Sequence, residues 1–181
     1  DEDRDLKREL DRLLREHEEL VDRSTKRLEK LLRKHEREAR ESKKELEKLN
    51  DELREIARKP TEERDLERSK RRLDKLKKEL EDKNREARKE LEDLREELRE
   101  INERVRKKVK ELEDDIRRKN SSEDVKRKLE EVRRRIEESV KRHRETVEEM
   151  RRRVDESVRR HERTVDELRR THEELIERVR R

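Results

Sequence analysis

From Leu10 onward the apolar residues neither alternate nor run together. They fall on a stripe of positions that returns every third or fourth residue, through Leu13, Val21, Leu28, Leu31, Ala39, Leu46, Leu49 and Leu53, with His17, Ser24, His35 and Ser42 filling the positions between and charged residues elsewhere. That spacing gathers them on one face of a helix with 3.6 residues per turn. The same spacing resumes from Leu66 through Leu73, Leu80, Leu91, Leu98, Val105 and Ile116, and again from Val125 to Ile176. Three amphipathic helices are therefore expected, with strands nowhere.

Helix breakers stand in two places. Pro60 disfavours helical geometry at Lys59, and Thr61 is placed to cap a new helix whose first turn holds Glu62 and Glu63. In "RRKNSSEDV", Asn120 suits a left-handed position after a helix, and Ser121 or Ser122 suits a cap before Glu123 and Asp124. The predicted helices cover about 2–58, 61–119 and 122–180. Each is roughly 85 Å long at about 1.5 Å per residue. Loops this short force antiparallel neighbours. The predicted fold is all-α, a single up-down-up three-helix bundle over 1–181.

The stripe repeats as a block of eighteen residues, seen most plainly in "SVKRHRETV" (Ser139–Val147) and "SVRRHERTV" (Ser157–Val165). Eighteen residues complete five turns of an unstrained helix, whereas a heptad repeat imposes a left-handed supercoil. Nearly straight helices in an untwisted bundle are expected.

Polar residues share that stripe at matching heights. Folding the chain at residues 60 and 120 places helix 1 position i opposite about 119 minus i, and helix 2 position j opposite about 241 minus j, on the antiparallel rule for short loops. One expected layer gathers His17, Ser24, Asn102, Ser139, His143 and Thr146. A second gathers His35, Ser42, Asn84, Ser157, His161 and Thr164, and a smaller cluster joins Asn50, Ser69 and His172, with Thr171 adjacent. Buried hydroxyls, amides and imidazoles are tolerated when they satisfy one another and costly when they do not, so such layers penalise wrong registers.

Composition narrows the functional classes. Of the 181 residues 65% are charged, none is Gly, Cys or aromatic, and Pro60 is the only proline. Phosphate-cradling glycine loops, disulfides, thiolate metal sites and base-stacking platforms all drop out. No apolar run approaches the ~20 residues that span a bilayer, and "DEDRDLKREL" does not resemble a signal peptide, so a soluble chain without a targeting signal is expected. The net charge of +5 is interleaved rather than clustered, and no helix face pairs bulky anchors with a basic flank. Neither nucleic acid nor a membrane surface is an expected partner.

Ser139 and His143 lie one turn apart, yet no oxyanion hole or substrate pocket is encoded beside them. Neither an enzyme nor a cofactor is expected. No layer holds more than two His, and Ser and Asn are poor zinc ligands, so no metal is expected. The supply of aliphatic residues is close to that needed for one interior. A self-contained monomer is the economical reading, while Leu14, Leu32, Val140 and Val158 widen the stripe and leave room for self-assembly.

The eighteen-residue repeat, the equal helices, the loops "KPTEE" and "NSSED" and the Glu/Lys/Arg surface together resemble de novo designed helical bundles, parametrically generated with buried hydrogen-bond networks. Natural spectrin-type helical repeats are the competing family, and they seldom avoid aromatics and glycine throughout. The resemblance implies a synthetic structural scaffold. Where His populates such networks, it implies an acid response or a switchable assembly subunit as the alternative.

Overall fold

The computed structural model describes residues 1–60 and 62–181. It contains α1 (Glu2–Arg58), α2 (Glu63–Arg118) and α3 (Glu123–Arg180), and no strand among the described residues. The expected Thr61 cap lies outside the described residues. Helix α2 begins at Glu63, two residues later than expected, with the Asp65 amide donating to the Glu62 carbonyl at 3.1 Å across its first turn.

The helix ends follow their local chemistry. Asp1 accepts the Asp3 amide at 3.2 Å through Oδ1, an N-terminal cap on α1. Acidic residues fill the first turn of every helix and basic residues the last, opposing the partial charges of the helix termini. After α2, Asn120 takes φ 46°. Its amide donates to the Arg117 carbonyl at 3.3 Å, and the Ser121 amide donates to the Ile116 carbonyl at 3.2 Å. Those two bonds form a Schellman closure around a left-handed residue, which Asn tolerates better than most. Ser122 then stands immediately before α3, and its carbonyl accepts the Lys126 amide at 3.2 Å.

Packing divides the chain into two compact units, Asp1–Lys30 with Leu91–Met150 and Leu31–Glu90 with Arg151–Arg181. In the first, Leu6, Leu10 and Leu13 of α1 meet Val105, Val109 and Ile116 of α2 and Val125, Val132 and Ile136 of α3 in one buried cluster. In the second, Leu46, Leu53, Leu66, Leu73, Val165 and Ile176 form the corresponding core. At roughly 1.5–3 kcal/mol per fully buried aliphatic side chain, these clusters are the main favourable term.

Ion pairs flank the helix seams. In the first unit Arg27 pairs with Glu97 at 2.6 Å, Arg133 with Glu113 at 2.7 Å, and Lys128 with Asp11 at 2.7 Å. In the second, Arg72 pairs with Glu52 at 2.9 Å and Arg88 with Asp155 at 3.2 Å. Residue numbers rise along α1 as they fall along α2, and α1 and α3 run parallel. All three helix pairs are in contact, an antiparallel three-helix bundle.

Candidate functional site

In the first unit the apolar stripe is interrupted by His17, Ser24, Asn102 and His143, all buried. The His143 ring carries two hydroxyl partners from α1, Ser24 Oγ at 3.1 Å from Nε2 and Thr25 Oγ1 at 3.0 Å from Nδ1. The Thr25 hydroxyl already donates to the Val21 carbonyl at 2.9 Å. It therefore accepts from Nδ1–H, and Nε2 is left to accept from the Ser24 hydroxyl. This arrangement fits the neutral Nδ1–H tautomer, with every polar atom of the trio used. Thr25 is the member that the stripe alone does not mark, because it lies at the edge of the buried face beside Ser24.

Both ring nitrogens of His17 and the Asn102 Oδ1 are buried without a hydrogen-bond partner among the described residues. Burial pushes the His17 value down, and the neighbouring Glu18 carboxylate only partly offsets this. Burial also lowers His143, helped by the proximity of His17. Ser139 is half-buried, and the Thr146 hydroxyl donates to the Arg142 carbonyl of its own helix at 3.0 Å.

The second unit holds two groups. His172 is fully buried, with Nδ1 donating to the Leu168 carbonyl at 2.7 Å and Nε2 accepting from Ser69 Oγ at 2.8 Å, again a satisfied neutral ring. Asn50 is half-buried and Thr171 exposed, the latter donating to the Glu167 carbonyl at 3.0 Å. The other group is arranged differently. His161 Nδ1 lies 2.8 Å from the Ser157 carbonyl and Nε2 lies 3.0 Å from the Ala39 carbonyl. Carbonyls only accept, so the two compete for a ring N–H here, unlike the partners of the hydroxyl-matched rings of His143 and His172. The small Ala39 side chain leaves its carbonyl open to that approach. Close by, His35 is buried with Nε2 unpartnered. Burial lowers the His35 value first, Glu38 and Glu36 raise it, and His161 and Arg88 lower it. Ser42 is buried, Asn84 half-buried and Thr164 exposed with its hydroxyl on the Arg160 carbonyl at 3.0 Å.

The His–Ser and His–Thr contacts join α1 to α3 and α2 to α3. Among the described residues no three His, Asp or Glu side chains gather as a metal-binding group. No helix of the described residues is long and apolar enough to cross a membrane.

No protein-family model matches the chain, and no curated protein matches it in sequence. Among solved structures, a chain described as a "Computationally designed three helix bundle" matches with a TM-score of 0.57 and 19% identity, covering 98% of this chain and 88% of that one. At that identity the likeness is one of fold.

Proposed function

We propose that the chain is a synthetic structural scaffold, a designed three-helix bundle in which aliphatic layers supply stability and buried polar groups specify how the helices align. The observation that carries this reading is the His143 ring, satisfied at both nitrogens by adjacent hydroxyls of another helix. A wrong register would bury these groups unpaired, at a cost of about 1–3 kcal/mol for each orphaned group. The fold shared with a designed bundle supports the same origin. The proposed role is structural rather than enzymatic, with no cofactor.

Replacing Asn84 and Asn102 together by Leu tests it. Asn102 Oδ1 is buried and unpartnered, so removing it relieves a desolvated acceptor while adding aliphatic contact. The double variant is expected to stay helical with an equal or higher denaturation midpoint and, once Ser24→Val and His143→Leu are added, to lose uniqueness, seen as multiplied or broadened amide resonances. Unfolding would show that the amides carry stability and would overturn the reading.

A second reading, a bundle that acid loosens, is favoured by the lowered values of His17, His35 and His143. It uses the same residues and is compatible with the first.

A further inference from the structure

The α1/α3 seam of the second unit carries a groove. Between α1 and α2, Lys34 faces Glu86 and Glu52 faces Arg72, and between α2 and α3, Arg88 faces Asp155 and Glu63 faces Arg180. The α1/α3 groove has a volume of about 910 Å³ and is floored by uncharged residues, among them Ala39, Asn50, Ser157, Thr164 and Thr171. Thr164 and Thr171 are exposed and turn their hydroxyls onto their own helix. Threonine is a poorer helix former than the Glu, Lys and Arg used elsewhere on these surfaces, so a solvent-facing role does not account for it.

The rim of the groove is basic, with Arg40, Lys43, Arg160 and Arg163 against Glu47 and Glu167. Eighteen residues earlier in each helix, the first unit holds Asp22, Thr25, Glu29, Arg142, Glu145 and Glu149 in the equivalent places. At these six matched positions the charge reverses, from four basic and two acidic residues to one basic and four acidic, Asp22 being paired along α1 with Lys26 at 3.1 Å. The acidic set is also on the surface, with Thr25 alone half-buried.

We infer that the groove of the second unit docks the acidic α1/α3 face of the first unit of another copy of this chain. The uncharged floor supplies desolvated contact, and the opposed rims select the pairing and disfavour like-with-like contacts. This interface does not depend on the scaffold reading, since a bundle with register-specifying layers could remain a single chain.

Two charge-reversed variants decide it. One carries Asp22→Arg and Glu145→Arg, making both faces basic; the other carries Arg40→Glu and Arg163→Glu, making both acidic. All four positions are exposed on helices, so both variants should fold, with circular dichroism as the check. Masses by light scattering at low salt should show the parent above the single-chain mass and each variant alone at it. An equimolar mixture of the two variants should regain association, because every contact in it again joins a basic face to an acidic one. High salt should weaken both assemblies. A parent that stays at the single-chain mass, a variant that assembles alone as the parent does, or a mixture that stays dissociated would each overturn the proposal.

Discussion

At the scale of single residues, the five histidines are not equivalent. His143 and His172 sit in closed donor and acceptor sets, while both ring nitrogens of His17 and the His35 Nε2 are buried without a hydrogen-bond partner among the described residues. His161 faces two carbonyls. The three lowered rings, His17, His35 and His143, bind protons less readily in the folded chain than in the unfolded one, where His titrates near ~6.5. Their contribution is fully present above that value and is lost as pH falls through the depressed folded values. The charged neighbours Glu18 at His17, and Glu36, Glu38, Arg88 and His161 at His35, modulate this without reversing it. The denaturant midpoint of the parent should therefore fall more steeply below about pH 6 than that of a His17→Gln, His35→Gln, His143→Gln variant; parallel declines would assign acid sensitivity to the carboxylates. Much of this polar set can be read from the sequence, because Ser24, Ser69, His143 and His172 recur on the apolar stripe. Thr25 cannot, since stripe periodicity does not resolve which of two adjacent edge residues reaches a neighbour. The hydroxyls of Thr146 and Thr164 return to their own helix, an option open to any helical Thr and invisible to a count of layers.

At the scale of elements, helix limits were set by very few residues. Pro60 and the "KNSSED" segment end and restart helices that are otherwise built from strong helix formers, and the observed limits lie within two residues of those expected. The start of α2 at Glu63 is marked by the Asp65 to Glu62 bond across its first turn, a detail of backbone geometry that sequence does not resolve. Asn120 carries the second turn in the left-handed region. Asn120→Gly should leave thermal stability unchanged or slightly higher, while Asn120→Ala should lower it by about 1 kcal/mol. Equal midpoints for the two variants would mean that the turn does not hold that conformation in solution.

For the molecule as a whole, the proposed scaffold divides stability and specificity between different residues. Leu10, Leu28, Leu46, Leu53 and Leu73, each at most 2% exposed, are buried without polar partners and contribute whatever the alignment, so long as an apolar face meets another. Ser24 and Thr25 with His143, and Ser69 with His172, are satisfied across helices in the observed alignment, and the proposed scaffold assigns the choice of alignment to them. The antiparallel bundle was legible because short loops and a 3.6-residue stripe leave little alternative. The division of the chain into two packed units was not, because the stripe runs through α1 without a break at Lys30. The central claim is tested most directly by measuring register in the first unit. Spin labels at Glu19→Cys on α1 and Lys141→Cys on α3, both exposed positions, report the distance between those helices. The account predicts one narrow distance distribution in the parent. With Ser24→Val, Thr25→Val, Asn102→Leu and His143→Leu added, it predicts a broadened or multiple distribution at undiminished thermal stability. A distribution that stays single and narrow in that variant, or a variant that unfolds, would contradict it.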